Sequence, residues 1–115
     1  MKFQLVLWIL GKKLLKKAKK DTEFQKKISE KNCTVQIKTA DNSRGRYYTF
    51  NNGKIVTEKG VAANPTVSLV FSDAATGFTV LKSGKTVEAV QNGSLKLEGD
   101  GGTAIWFSAV AKDAK

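Results

Sequence analysis

Residues 65–107 read PTVSLVFSDAATGFTVLKSGKTVEAVQNGSLKLEGDGGTAIWF, and this stretch indicates the fold more clearly than any other part of the chain. The segment VSLVF alternates in a way that predicts a strand with one fully apolar face. Asp73 is placed to cap a short helix, which ends at Gly84. A second short helix, 87–92, leads into the alternating strand SLKLE. This order of strands and helices predicts an α+β domain.

The segment 103–112 predicts a closing helix that is apolar on nearly every side. Such a helix needs cover on each of its faces, and a sheet covers only one. Either a ligand or partner covers the other face, or the helix is a well-packed element of an ordinary core. The sequence leaves both interpretations open.

The same tract resembles the second half of the sterol carrier protein type 2 domain, in which a strand, two short helices, a strand of the form G-x-L-x-L-x-G-D and a final apolar helix follow one another. The matching residues here are Val67, Leu69, Asp73, Phe78, Leu81, Gly84, Ala89, Val90, Gly93, Leu95, Leu97, Gly99, Asp100 and Ala104. The resemblance implies a five-stranded sheet flanked by helices. It also implies an apolar tunnel between sheet and helices that accepts sterols, fatty acyl groups or other lipids.

Alternation and turn residues independently predict five strands along the whole chain. These strands are 33–39, 46–51, 54–58, 66–71 and 94–98. The runs between the first three strands are typical of hairpin turns. The expected fold class is therefore α+β, with a five-stranded, mainly antiparallel sheet flanked by helices.

The composition argues against several kinds of chemistry. The chain has no histidine and a single cysteine, Cys33, so zinc sites, Ser-His-Asp triads and internal disulfides are not indicated. The carboxylates are scattered and form no acid–base pair with motif partners. We therefore expect no catalytic residues, no metal and no cofactor, and a protein that is not an enzyme.

The basic charge of the chain is concentrated in residues 1–31, which hold ten lysines against three carboxylates and so account for +7 of the net charge of +10. This segment predicts a basic amphipathic helix that packs on or extends a lipid-binding domain of residues 32–115. Its initial apolar run is too short to span a bilayer, and we expect it to be retained. The lysines expected to contact a membrane or a partner are Lys12, Lys13, Lys16, Lys17, Lys19 and Lys20.

Leu5 and Ile9 break the amphipathic pattern because they project toward the lysine side of this helix. A second copy of the chain, a membrane interface or the domain itself would have to cover them. Internal packing with transient contact to an anionic membrane is the favoured interpretation, and it places the protein in the cytoplasm, with peripheral membrane contact.

The leading functional hypothesis is noncatalytic binding and transfer of a hydrophobic ligand, such as a sterol, a fatty acyl chain or an isoprenoid. The candidate wall residues are Phe71, Phe78, Leu81, Val90, Leu95, Leu97, Ile105, Trp106 and Val110. One alternative is an accessory module, for example in quinone or lipid metabolism, whose basic helix docks on a partner or a membrane. Nucleic-acid binding is disfavoured because no arginine lies in the basic segment and no binding motif is present.

Overall fold

The computed structural model describes residues 2–114. Within them the chain forms five α-helices and five β-strands. Their order is α1 (Lys2–Lys20), α2 (Thr22–Ile28), β1 (Cys33–Thr39), β2 (Gly45–Asn51), β3 (Lys54–Lys59), β4 (Val67–Phe71), α3 (Ala74–Ser83), α4 (Thr86–Gln91), β5 (Leu95–Gly99) and α5 (Gly101–Ala114). The predicted strands agree with these bounds to within one residue.

The five strands form one sheet in the order β3-β2-β1-β4-β5. The pairs β1–β2, β2–β3 and β4–β5 are antiparallel, whereas the central pair β1–β4 is parallel. The predicted fold class is therefore confirmed, with one parallel pair in a mainly antiparallel sheet.

The strand register brings the apolar residues of neighbouring strands together on one face of the sheet. Val35 lies opposite Tyr48 in β2 and Val67 in β4, and Ile37 lies beside Leu69. These side chains are all buried, and they share one hydrophobic core with residues of the helices. The first helix contributes to this core through Phe3, Leu7 and Leu14. Helix α1 therefore packs on the sheet.

Helix α1 approaches the sheet closely at Gly11. A Cβ atom there would lie 3.2 Å from the Thr57 side-chain hydroxyl, which would have to shift by a few tenths of an ångström to make room. The Tyr48 hydroxyl donates a hydrogen bond of 2.6 Å to the Leu7 main-chain oxygen one turn earlier. Trp8, next to Leu7 in the chain, is 48 % exposed.

The other face of the sheet is covered in part by the chain between β3 and β4. The main-chain amide of Ala62 donates to the side-chain oxygen of Gln36, whose amide nitrogen donates to the Ser68 hydroxyl at 3.0 Å. Gln36 and Ser68 are both buried. Because each buried polar group has a partner, this face tolerates polar residues beneath the crossing segment.

Local signals set the bounds of the helices that follow β4. Asp73 caps α3 by accepting a hydrogen bond of 2.7 Å from the Thr76 amide, and Gly84 ends it in the left-handed conformation at φ +76°. The closing helix α5 buries Phe107 and Val110, but Ile105 is 74 % exposed. Its apolar surface is thus not enclosed on every side.

Candidate ligand-binding groove

An apolar groove of about 610 Å³ lies between the sheet and the helices. Helix α1 forms one wall, α5 forms another, and the turn from α3 to α4 closes a third side. The central strands supply the floor through Ile37 and Leu69. The lining residues are Val6, Ile9, Leu10, Lys13, Ile37, Leu69, Val80, Leu81, Ser83, Gly84, Thr86, Val87, Phe107, Ser108, Ala109, Ala111 and Lys112.

Most of the groove lining is aliphatic. Its polar side chains are the hydroxyls of Ser83, Thr86 and Ser108 and the ammonium groups of Lys13 and Lys112. A groove of this size and chemistry falls within the range of small-molecule sites, in which apolar walls supply burial and a few polar groups set orientation. The lining is therefore suited to an apolar guest with a polar or charged end.

The floor and walls of the groove are fixed by contacts beneath them. Ile37 and Leu69 are cross-strand neighbours in the hydrogen-bonded pair β1–β4, and both are buried. The ring of Phe107 packs at 5.6 Å from the ring of Tyr48, which also bonds to the main chain of α1 through Leu7. One buried tyrosine thus connects α1, the sheet and α5.

The turn between α3 and α4 contributes backbone as well as side chains to the groove. Gly84 adopts a positive φ there, which a residue with a side chain seldom tolerates. Val87, in the first turn of α4, lines the groove and is 69 % exposed, and Ile9 on α1 is 38 % exposed. Apolar side chains are therefore partly accessible to solvent along the groove lining.

The structure places the nine candidate wall residues in three environments. Leu81 lines the groove and packs partly buried against the core. Phe71, Leu95 and Val110 are buried in the core, and Phe78 and Trp106 are partly buried against it. Val90, Leu97 and Ile105 are exposed. Apart from Leu81, none of the nine is among the residues that line the groove in the described part of the chain, and their role as walls stays a prediction.

Several groove residues on α1 and α4 are not among the nine candidates from the sequence, namely Val6, Ile9, Leu10 and Val87. A signal for one of them was present, because Ile9 breaks the amphipathic pattern. Val87 carried no such signal, since a valine in the first turn of a short helix is compatible with burial or exposure.

The six lysines expected to contact a membrane or a partner lie on α1. Lys13 lines the groove, and together with Lys16, Lys17 and Lys20 it also lines a second, open cleft of about 730 Å³ beside the end of α5. Lys12 lies 5.3 Å from the Trp8 ring centroid. Their contact with a membrane or partner stays a prediction.

Ion pairs hold the ends of α1, α2 and α5 together. Lys17 donates to the Asp113 main-chain oxygen and lies 3.9 Å from the Asp21 carboxylate. Lys27 bonds to the Asp113 carboxylate at 2.8 Å. This hydrogen bond, together with the charge of Lys27, lowers the pKa of Asp113. These contacts close the molecule where its first and last helices meet.

The remaining reactive groups lie away from the groove. Cys33 is buried in β1, and burial raises the pKa of its thiol, although the charge of Lys31 opposes the shift. Within residues 2–114, no group of three or more histidine, cysteine, aspartate or glutamate side chains could hold a metal ion. No helix in this range combines the length and apolar character needed to cross a bilayer.

Comparison with solved structures identifies proteins of the same fold, although no family model and no curated protein matches the sequence. Sterol carrier protein 2 from Yarrowia lipolytica, solved in its apo form, superimposes with a TM-score of 0.68 at 17 % identity over 94 % of this chain and 88 % of that one. The UbiJ-SCP2 ubiquinone synthesis protein gives 0.67 at 14 % identity, over 92 % of this chain and 84 % of the other.

A third similar structure is the sterol carrier protein domain 2 of Helicoverpa armigera, with a TM-score of 0.60 and 23 % identity over 95 % of this chain and 87 % of that domain. At these identities the similarity concerns the fold. The chain has the fold of sterol carrier protein 2 domains over most of its length, which confirms the resemblance noted in the sequence.

Proposed function

We propose that this protein is a noncatalytic carrier that holds one lipid molecule in the groove between α1, the α3–α4 turn and α5. The observation that carries the proposal is the groove itself, about 610 Å³ lined mainly by aliphatic side chains over an apolar floor. The fold shared with sterol carrier protein 2 domains supports it. Sterols, fatty acyl chains and isoprenoids are all apolar enough to occupy such a site.

The expected affinity follows from the burial of the lipid tail. About sixteen buried methylenes contribute about 13 kcal/mol at about 0.8 kcal/mol each. Association costs at least about 4 kcal/mol, which leaves at most about 9 kcal/mol and a dissociation constant no tighter than about 0.3 μM. Such an affinity suits a carrier, because the ligand must also be released.

The absence of catalysis is part of the proposal. Lys13 and Lys112 are the only ionisable side chains among the described residues of the lining. General acid–base catalysis and nucleophile activation both need a titrating partner beside the reacting group. The lining supplies hydroxyls with no carboxylate or imidazole beside them, which favours binding over reaction.

We also propose that α1 brings the groove to an anionic membrane surface. Leu5, Trp8 and Ile9 are 53 %, 48 % and 38 % exposed, and Lys12 and Lys16 follow them on the same side of the same helix. Apolar side chains enter the membrane interface, and each nearby lysine adds about 1 kcal/mol. A cytoplasmic protein with reversible membrane contact would load and unload its lipid there.

A second candidate function is that of an accessory module that presents a lipid precursor to an enzyme. The similarity to the UbiJ-SCP2 ubiquinone synthesis protein favours this candidate, because that protein shares the fold over most of its length. The same groove would then hold an isoprenoid, and the exposed part of α1 would contact an enzyme or a second copy of the chain instead of a membrane.

A groove-filling substitution tests the carrier function. Ser108 is an exposed residue of the lining, so S108W places an indole in the groove without removing a core side chain. We expect S108W to reduce the binding of a fluorescent fatty acid at least about tenfold. The matched variant S72W, at an exposed serine outside the lining, should bind as the original protein does. Equal binding by both variants would contradict the proposed site.

A further inference from the structure

We infer that the lipid carried in the groove has a multiply charged anionic headgroup, of the phosphate monoester class. This headgroup binds to the lysine cleft, which is the open cleft lined by Lys13, Lys16, Lys17 and Lys20 of α1. The inference rests on the proposed function, since it assumes that the groove holds the lipid tail. It adds the chemistry of the headgroup and the residues that select it.

The geometry places the two sites side by side. Lys13 lines both the apolar groove and the lysine cleft, so one side chain belongs to the two cavities. Lys13, Lys16, Lys17 and Lys20 fall at positions i, i+3, i+4 and i+7 of α1 and so lie along one side of the helix. A tail in the groove would therefore end beside a row of ammonium groups.

Most of the lysines beside the groove are free to bind an anion. Lys17 is held by Asp21 and by the main chain of Asp113. Within residues 2–114, Lys13, Lys16, Lys20 and Lys112 have no carboxylate within ion-pair distance.

The carboxylates of the cleft are already engaged. The Asp21 carboxylate accepts hydrogen bonds from the Glu23 and Phe24 amides at the start of α2, and the Glu23 carboxylate lies 3.9 Å from Lys26. Neither one neutralises Lys13 or Lys16. The side of α1 that adjoins the groove therefore keeps an excess of positive charge.

The helix dipole accounts for only part of this lysine row. Lysines in a last helical turn are stabilised by the partial negative charge of the helix end, which suits Lys17, Lys19 and Lys20. Lys13 and Lys16 lie before that turn, where the effect fades. Lys13 lines the groove as well as the cleft, and Lys16 lines the cleft, so the anionic headgroup of a lipid bound in the groove would lie close to both lysines.

The number of lysines favours a phosphate monoester over a carboxylate or a hydroxyl. A phosphate monoester carries nearly two negative charges at neutral pH and has three strong acceptor oxygens, so it can engage several ammonium groups at once. A carboxylate carries one charge, and the hydroxyl of a sterol carries none. The cleft should therefore rank ligands of equal tail length by the charge of their headgroups.

The test compares dodecyl phosphate, dodecanoate and dodecanol as competitors against a bound fluorescent fatty acid, each below its micelle concentration. At low salt we expect dodecyl phosphate to compete about tenfold more strongly than dodecanol, and the ratio should shrink as salt screens the lysines. In the variant K13Q/K16Q the ratio should fall to within about threefold. The control K54Q/K96Q alters two exposed lysines of β3 and β5 and should keep the original ratio.

The outcomes separate this inference from the proposed function. If the fatty acid binds and dodecanol competes as well as dodecyl phosphate, the headgroup inference is wrong and the carrier function stands. If no fatty acid binds at all, the carrier function itself fails. Inorganic phosphate alone should bind far more weakly than dodecyl phosphate; equal binding would overturn the inference. The inference would also be overturned if the protein bound anionic vesicles and monomeric dodecyl phosphate did not compete with that binding. A cooperative thermal unfolding transition, with a midpoint close to that of K54Q/K96Q, reports that K13Q/K16Q is folded.

Discussion

Replacing Tyr48 with phenylalanine tests how the walls of the groove are held. The Tyr48 hydroxyl is buried and donates a hydrogen bond of 2.6 Å to the Leu7 main-chain oxygen. The substitution keeps the ring against Phe107 and removes only this bond. A net hydrogen bond contributes about 1 kcal/mol. The free energy of unfolding of Y48F should therefore be about 1 kcal/mol lower at neutral pH, and its thermal unfolding midpoint about 4 °C lower.

The same hydroxyl gives the Y48F comparison a distinctive dependence on pH. Burial raises the pKa of Tyr48 above its ordinary value, and the nearby charge of Arg46 offsets this only in part. The unfolded chain ionises near pH 10, whereas the folded chain keeps the proton. The contribution of Tyr48 to the free energy of unfolding is thus fully present below about pH 10. It falls by about 1.4 kcal/mol per pH unit as pH rises from there toward the folded pKa.

The loss of stability in Y48F should therefore vanish at about pH 10.7 and change sign above it, because phenylalanine has no proton to lose. Urea unfolding of both proteins between about pH 7 and pH 11.5 measures the difference directly, and the ionisation of lysines cancels between them. Y47F is the comparison at the surface. The hydrogen bond from Tyr47 to Glu58 also raises the pKa of Tyr47, but solvent screening at this exposed site should make the pH dependence of Y47F smaller than that of Y48F. A difference between Y48F and the original protein that stays constant up to about pH 11 would refute the argument.

Three further predictions concern stability. G77A should lower the free energy of unfolding by about 1–2 kcal/mol despite the better helix propensity of alanine, because the new Cβ would lie 2.5 Å from a ring carbon of Phe3. G101A, where nothing lies within 4 Å of the new Cβ, should be neutral in the same thermal unfolding experiment. The Cys33 thiol should react with a disulfide reagent only as fast as the protein unfolds, and rapid reaction of the native protein would contradict its burial. Hydrogen bonds from the first turn of α3 lower the pKa of Asp73, so the stabilising effect of its carboxylate is present above about pH 4 and is lost as pH falls through the folded pKa. D73N should therefore lose less stability on acidification than the original protein, as measured by thermal unfolding across that pH range.

The fold was predictable because its signals are local. The alternation of β1 and the cap residues Asp73 and Gly84 depend on neighbours within a few positions, and the structure agrees with them closely. The parallel pairing of β1 with β4 is not local, since it depends on where the chain between them crosses the sheet.

The groove was harder to predict because an apolar residue does not reveal what covers it. Ile105 and Val110 lie on the same apolar helix, yet Ile105 is 74 % exposed and Val110 is fully buried. Only the crossing of α1, α5 and the α3–α4 turn decides which apolar faces meet and which leave a gap. Leu81, one of the candidate wall residues, lies in the groove lining, whereas Ile9 could be recognised only as a residue out of pattern.

The joining of the first and last helices has a consequence for how this protein is made. Helix α1 is synthesised before Asp113, which bonds to Lys17 and Lys27 and follows about ninety residues later in the chain. Until α5 is synthesised, the apolar side chains of α1 and of the sheet that pack against α5 stay exposed to solvent. We therefore expect folding to wait for the completion of α5 and then to occur in a single cooperative step, with chaperones protecting α1 in the meantime.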